Sequence, residues 1–303
     1  MAISLRPLNE QVMVITGASS GIGLATALAA ADAGANVVIA ARSADVLSRI
    51  VRELGAKGKR AVAVECDVSD AAAVEHVAEV AIREYGRIDT WVNNAGVSIY
   101  GRLDEVSLED QRRLFDVNFW GVVHGSLTAL RYLKQGHGGA LINVGSEVSE
   151  AVAPLQGTYS ASKHAVKGFT DALRVEIEEV DKAPIAITLI QPTAVDTPYP
   201  EHAKNYLHRE PKLPDPMIDP ERVAAAILHA ATQWTRDKKV GAMATVNTLT
   251  AKFMPGIADK LSAKKVEAQQ RDTPPQRDPE GALYRPSDDG RVRGARAPAP
   301  ASR

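Results

Sequence analysis

The sequence predicts a doubly wound parallel α/β sheet, on two observations. Short apolar, β-branched runs alternate with helix-length stretches through most of the chain, and a glycine cluster follows the first of those runs. Buried parallel strands read as near-continuous hydrophobic runs, and each parallel connection needs room for a crossover helix. Six runs qualify: VMVIT at 12–16, NVVIA at 36–40, AVAVE at 61–65, TWVNN at 90–94, ALINV at 140–144 and AITLI at 186–190. Between them, stretches such as 70–85 and 157–180 have helical character, so one α/β layer structure covers them all. In open sheets of this kind ligands bind beyond the carboxyl ends of the strands, where Gly17, Asn93, Ser146 and Pro192 all fall.

The first element carries the first chemistry. After the strand ending at Thr16 come Gly17, Gly21 and Gly23, then an alanine-rich helix to Ala33. A glycine lets backbone approach a pyrophosphate, and the helix N-terminus offers free N–H groups with partial positive charge. The spacing is GxxxGxG, not the common GxGxxG. Farther along, Tyr159 and Lys163 stand four residues apart in YSASK, on one helix face. A nearby cation favours a phenolate and lowers its pKa, so Lys163 is expected to bring the Tyr159 phenol down and fit it to exchange a proton at working pH. Ser146, thirteen residues upstream, adds a hydroxyl able to polarise a carbonyl.

These motifs, in this order, resemble those of the short-chain dehydrogenase/reductase family from about residue 8 to about residue 245. The resemblance implies a Rossmann-like fold and a set of roles. TGASSGIG at 16–23 corresponds to the cofactor loop, through Gly17, Ser19, Ser20, Gly21, Ile22 and Gly23. Asp67 and Val68 in CDV match the adenine-contacting pair, and Asn94, Ala95 and Gly96 match the turn after the fourth strand. Pro192, the backbone near Val195 and the Thr197 hydroxyl correspond to contacts with the nicotinamide half. Asn118 in DVNFWG, Ser146, Tyr159 and Lys163 match the catalytic positions. By that resemblance Tyr159 is the general acid/base, Ser146 orients the carbonyl, and Lys163 holds the nicotinamide ribose. Asn118 holds a water in a proton relay that ends at the lysine. A homodimer or homotetramer is implied, through helices at 107–134 and 157–180.

Three positions depart from the family pattern. Gly145 precedes the serine where a second serine is common, Glu147 follows it, and Thr193 follows Pro192 where glycine is usual. Glu147 puts a carboxylate near the substrate mouth, either to select a polar or cationic substrate or to point to solvent, and the solvated reading is the expectation. The second strand gives a cofactor preference. It ends Ala40-Ala41-Arg42, without the acid that binds the 2′-hydroxyl of NAD and with an arginine suited to a 2′-phosphate. The cofactor expected is therefore NADP(H) in preference to NAD(H).

Composition narrows the class. A net charge of −1 gives no reason to expect nucleic acid or an anionic surface as the main partner. The single cysteine, Cys66, excludes an internal disulfide framework and reads as a buried apolar filler. No apolar run reaches a membrane span, and MAISLRPLNE lacks a charged region followed by an apolar core, so the expected location is cytoplasmic. The histidines form no HxxxH pair and no metal site is expected; GASSGIG is not a hydrolase elbow. The partner expected is a small carbonyl or alcohol. A noncatalytic nicotinamide-nucleotide sensor is the alternative, against which the intact set Asn118, Ser146, Tyr159 and Lys163 argues.

The organisation read from the chain is an α/β domain over 1–247, an amphipathic helical segment over 248–268 and a tail over 269–303. Within the domain, 192–220 carries seven prolines and reads as a substrate lid, with Tyr199, His202, Tyr206 and Leu207 best placed to touch a substrate. The helical segment is interrupted by Pro255 and is expected to cover the substrate site, ahead of packing on a sister subunit or touching a membrane surface. The tail is dominated by Pro, Arg, Gly and Asp, with Arg291, Arg293, Arg296 and Arg303 near its end, and is expected to be disordered and solvated.

Overall fold

The computed structural model describes residues 3–287 and 290–295. Seven parallel strands form its sheet: β1 Val12–Thr16, β2 Asn36–Ala41, β3 Ala61–Glu65, β4 Thr90–Asn93, β5 Gly139–Val144, β6 Ile185–Pro192 and β7 Asp237–Val240. Their order across the sheet is 3-2-1-4-5-6-7. Six were legible as apolar runs. The seventh, DKKV, is an edge strand with half its length exposed, and its polar sequence hides it.

Alternation along the strands makes two cores. Val12, Val14, Trp91 and Leu141 face one side, while Met13, Ile15, Val37 and Ile142 face the other. Helices α3 Ala71–Tyr85, α5 Gly121–Gln135 and α6 Gly157–Arg174 cover the first face; α1 Gly21–Asp32, α2 Ala44–Ala56 and α7 Pro220–Ala230 cover the second. Helix α4, Leu108–Phe115, joins α5 through a π-helical turn at Asp116–Trp120, and α6 continues into another at Val175–Val180.

A buried polar network fixes α6 against the sheet. Asn93 Nδ2 donates to Asn143 Oδ1 at 2.9 Å, and Asn143 Nδ2 to Thr170 Oγ1 at 2.9 Å. Arg174 Nε donates to the Ile187 carbonyl at 2.8 Å. Satisfied buried polar groups specify one arrangement, so the helix that carries Tyr159 and Lys163 has a fixed position on the strands.

The region read as a lid is a short helix, Tyr199–His202, followed by a two-residue strand, Lys204–Asn205, paired with Ile99–Tyr100. Two helices then follow β7. Helix α8, Ala242–Phe253, starts six residues before the segment assigned from sequence, and α9, Pro255–Lys264, begins with Pro255 at its first position, where the missing N–H costs nothing.

The described part of the tail differs from the expected solvated chain. Leu283 is fully buried in the first core, and the Tyr284 hydroxyl donates to Asp110 Oδ1 at 2.8 Å. The Asn205 N–H donates to the Pro279 carbonyl at 2.8 Å, and the Ala282 N–H to the His202 carbonyl at 2.7 Å. Main-chain hydrogen bonds and arginine ion pairs hold this segment, and composition does not display them. Arg296 and Arg303 lie outside the described residues.

Candidate active site

One cavity of about 690 Å³ runs along the carboxyl ends of the strands, from Arg42 and the glycine loop at one end to Tyr159 and helices α8 and α9 at the other.

The glycine loop is built by close approach. Gly17 has φ +66°, and a Cβ there would stand 2.6 Å from Ala95 Cα. A Cβ on Gly23 would stand 2.2 Å from the Gly17 carbonyl oxygen. Gly23 is therefore packed beneath the loop and does not face the cavity. The turn after β4 buttresses the same loop: Asn94 Nδ2 donates to the Thr16 carbonyl at 3.0 Å and the Gly17 carbonyl at 3.2 Å. Ser20 precedes α1, whose N-terminus forms the cavity wall at Ser19, Ser20, Gly21 and Ile22. Arg42 follows β2 and reaches this end; Asp67 and Val68, just beyond β3, line it as well. Burial opposes the charge of Asp67, yet hydrogen bonds from Arg113 and Ser69 hold its carboxyl below the ordinary range. Cys66 is buried there, and burial pushes its thiol up to about 12, an inert filler as expected.

At the other end β5 delivers Ser146, which caps a short 3₁₀ turn, its Oγ accepting from the Val148 N–H at 3.3 Å. Helix α6 delivers Tyr159 and Lys163. The lysine is 4% exposed, donates to the Val144 carbonyl at 2.9 Å, and lies 5.7 Å from the Tyr159 ring centroid. Burial pulls its ammonium down to about 8. Tyr159 differs from the expected lowered phenol. Burial pushes it up to about 12, the hydroxyls of Tyr199 and Ser146 pull it back, and the Glu147 carboxylate raises it further. The ammonium is turned toward Val144 and its own charge is disfavoured by burial, so desolvation of the phenol wins.

Asn118 sits in the π-helical turn with no exposure and does not line the cavity. Its Oδ1 accepts from the Val97 N–H at 2.8 Å and its Nδ2 donates to the Val97 carbonyl at 3.0 Å. It thereby fixes the loop after β4, beside Gly96 and Lys163. Pro192 at the end of β6 and Val195 and Thr197 beyond it line the cavity, with Thr197 packed under Gly21.

Glu147 does not point to bulk solvent. It lines the cavity and accepts from Thr193 Oγ1 at 3.0 Å and Asn247 Nδ2 at 2.9 Å. Thr193, the departure from the usual glycine, is thus the donor that turns this carboxylate inward. Of the lid residues, Tyr199 and His202 line the cavity, whereas Tyr206 and Leu207 do not. Tyr206 bonds Asp110 instead. Sequence reasoning missed Glu150, Asn247 and the C-terminal Ala282, Pro286 and Ser287, all on the cavity wall; apart from Glu150, four residues after Ser146, none is local in sequence to a motif.

A family model described as short chain dehydrogenase matches residues 11–206. The chain belongs to the short-chain dehydrogenase/reductase family. Among relatives, the chain is 44% identical to the uncharacterized oxidoreductase YxnA of Bacillus subtilis over 93% of its own length and 80% of that protein. It is 37% identical to 1-deoxy-11-beta-hydroxypentalenate dehydrogenase of Streptomyces avermitilis over 63% of its length and 71% of that protein. A short-chain dehydrogenase/reductase from Burkholderia phymatum, solved with NAD, superposes with TM-score 0.71 at 27% identity, covering 89% of this chain and 99% of that one. An alcohol dehydrogenase from Thermococcus sibiricus, solved with 5-hydroxy-NADP, gives TM-score 0.65 at 29% identity over 76% of this chain and 94% of that one. This short-chain dehydrogenase/reductase is an oxidoreductase. Among the described residues no helix is long and apolar enough to cross a membrane, and no cluster of possible metal ligands occurs.

Proposed function

We propose that the chain is an NADP(H)-dependent oxidoreductase that interconverts a ketone or aldehyde and the corresponding alcohol, with Tyr159 as general acid/base. The observation that carries this reading is one cavity holding the glycine loop and Arg42 at one end and Ser146, Tyr159 and Lys163 at the other.

The residues at the first end fit a dinucleotide. Gly17 lies where a side chain would collide with Ala95 and fill the approach, and the N-terminus of α1 opens beside it. Arg42, with Ala41 before it, suits a 2′-phosphate. Gly21, Asn94, Ala95, Gly96, Asp67 and Val68 would hold the adenosine and pyrophosphate side; Pro192, Val195, Thr197 and Lys163 would hold the nicotinamide side. Bound there, a nicotinamide dinucleotide supplies or takes up the hydride.

The chain's own residues manage the proton. Ser146 presents a hydroxyl to the carbonyl oxygen and holds it toward the phenol. Tyr159, neutral over ordinary working pH, gives its proton to that oxygen in reduction and takes it back in oxidation. Lys163 places a positive charge under the site when protonated, and Asn118 fixes the backbone beside it. Val148, Val152, Leu213, Met243, Val246 and Leu261 make the rest of this end mainly apolar, which suits a medium-sized cyclic or aromatic ketone.

The test is turnover on a panel of such ketones, followed by nicotinamide absorbance, for the native chain and Tyr159→Phe. General acid/base help is worth ~10²–10⁴ in rate, so the variant should lose that factor in kcat while its dinucleotide Kd stays the same. Native-level turnover by the variant would refute the proton role.

A further inference from the structure

The donors that suit dinucleotide phosphates already have partners, and those partners come from the chain's own C-terminal segment. Arg42 Nη1 donates to the Leu283 carbonyl at 3.2 Å and Nη2 to the Ala282 carbonyl at 2.5 Å. The adjacent Ser43 hydroxyl donates to the Ser287 carbonyl at 2.5 Å. The Gly21 N–H, at the start of α1, donates to the Arg291 carbonyl at 2.9 Å. Ala282, Pro286 and Ser287 stand on the wall of the same cavity as Gly17 and Arg42.

Two kinds of anchor hold the segment. Near its start, Leu283 is buried in the core, and the Arg113 Nε donates to the Leu283 carbonyl at 3.3 Å. Farther on the anchors are ionic. Arg291 pairs with Glu201 at 2.6 Å; Arg293 pairs with Asp219 at 2.5 Å and Glu221 at 2.8 Å. The first anchor is an apolar plug that water does not compete for. The second consists of ion pairs whose arginines are 41% exposed; the two from Arg293 to Asp219 and Glu221 are weak and salt-sensitive, while Glu201 is nearly buried. The segment is therefore fixed at one end and releasable at the other.

The geometry points to a resident competitor: the main-chain carbonyls of Ser287 and Arg291 occupy the donors of Ser43 and Gly21 that a dinucleotide's phosphates would take, beside the anchored stretch 282–283 that engages Arg42. Carbonyl oxygens and phosphate oxygens are both acceptors, and one N–H does not serve both at full strength. Binding of the dinucleotide lifts the distal arm from Gly21 and Ser43, and the apparent affinity is reduced by the fraction of chains in which the arm is down. This inference rests on the dinucleotide reading of the cavity.

Two changes release the arm without removing Leu283 or Tyr284. One is truncation after Arg285; the other is the pair Arg291→Glu and Arg293→Glu, which sets acid against Glu201, Asp219 and Glu221. NADPH and NADH are titrated by fluorescence into the full chain, the truncated chain and the double variant. Competition requires that both altered chains bind about tenfold more tightly, equivalent to 1.4 kcal/mol. It also requires that NADPH speed tryptic cleavage of the full chain at Arg291 and Arg293. Equal affinities in all three chains would overturn the competitor and leave the dinucleotide reading intact. Weaker binding by the altered chains, with NADPH protecting those arginines from trypsin, would make the segment a clamp and also overturn it. Binding of neither nucleotide by any folded chain would overturn the dinucleotide reading and the competitor together. Should the truncated chain not fold, the double variant keeps the core anchor and carries the same comparison.

Discussion

The rings of Tyr159 and Tyr199 meet edge to face with centroids 5.5 Å apart, and the Tyr199 hydroxyl donates to Gln156 Oε1 at 2.9 Å. The lid residue is thus part of the reacting end and not only its cover. Its hydroxyl is among the groups that pull the Tyr159 phenol down against burial. Tyr199→Phe removes that help, so the phenol should hold its proton to higher pH. The pH profile of kcat/KM for alcohol oxidation, which needs the deprotonated form, should move its rising limb upward, while reduction near neutral pH changes little. An unmoved limb would show that the two hydroxyls are not coupled.

Glu147 acts in the opposite sense. Its carboxylate raises the Tyr159 phenol, and no cation is within ion-pair distance of it among the described residues. Glu147→Gln keeps an oxygen for Thr193 and Asn247 and removes the charge. The same oxidation profile should move to lower pH. Opposite shifts in Tyr199→Phe and Glu147→Gln are a sharper check than either alone, since general damage to the site would lower the rate in both without moving the limbs apart.

What was legible in the chain follows a physical division. Tyr159 and Lys163 were readable because one helical turn brings residues four apart together, and Gly17 because a strand, a glycine and a helix are consecutive. Six strands were readable because both faces of a parallel sheet are buried and their runs are apolar. Glu147 was misplaced because its orientation depends on Thr193 and Asn247, residues 46 and 100 positions away. The lowered phenol was expected from a cation four residues away. Its pKa instead follows the burial of the whole cavity, which no local spacing encodes. The tail over 269–303 was read as solvated because its composition has few large apolar residues; its described residues differ. One leucine inserted in the core, main-chain hydrogen bonds and arginine pairs to distant acids outweighed that composition.

Lys163 gives a stability signature with a definite sign. Burial lowers its pKa from 10.5 to about 8, so across that window the unfolded chain binds more protons than the folded one. Stability contributed by this group therefore rises with pH from about 8 to 10.5. Below that window the folded chain carries the charged ammonium at a cost. Lys163→Met removes the titration and fills the site with a neutral chain of similar length. In thermal melts of native and variant chains without nucleotide, the native Tm should gain on the variant Tm as pH rises through the window. A difference that stays constant with pH would mean that the ammonium is hydrated in the folded state.

The cofactor preference can be tested at the end of β2. Ala41 is 8% exposed at the strand end, and Arg42 follows it on the cavity wall. A charge-assisted hydrogen bond to phosphate contributes roughly 1.5–3 kcal/mol, about 10- to 100-fold in affinity. Arg42→Ala should weaken NADPH by that order and hardly change NADH. Joining it to Ala41→Asp should supply the acid that binds a ribose 2′-hydroxyl and repel a 2′-phosphate, reversing the preference. The segment at 282–283 complicates the reading in a useful way, because Arg42 also donates to those two carbonyls. Arg42→Ala loosens that contact and by itself favours entry of either nucleotide. NADH affinity should therefore hold or rise in this variant while NADPH affinity falls. A parallel fall in both would mean that Arg42 serves to build the site and not to select the phosphate, and a native chain with the lower Kd for NADH would overturn the NADP(H) assignment outright.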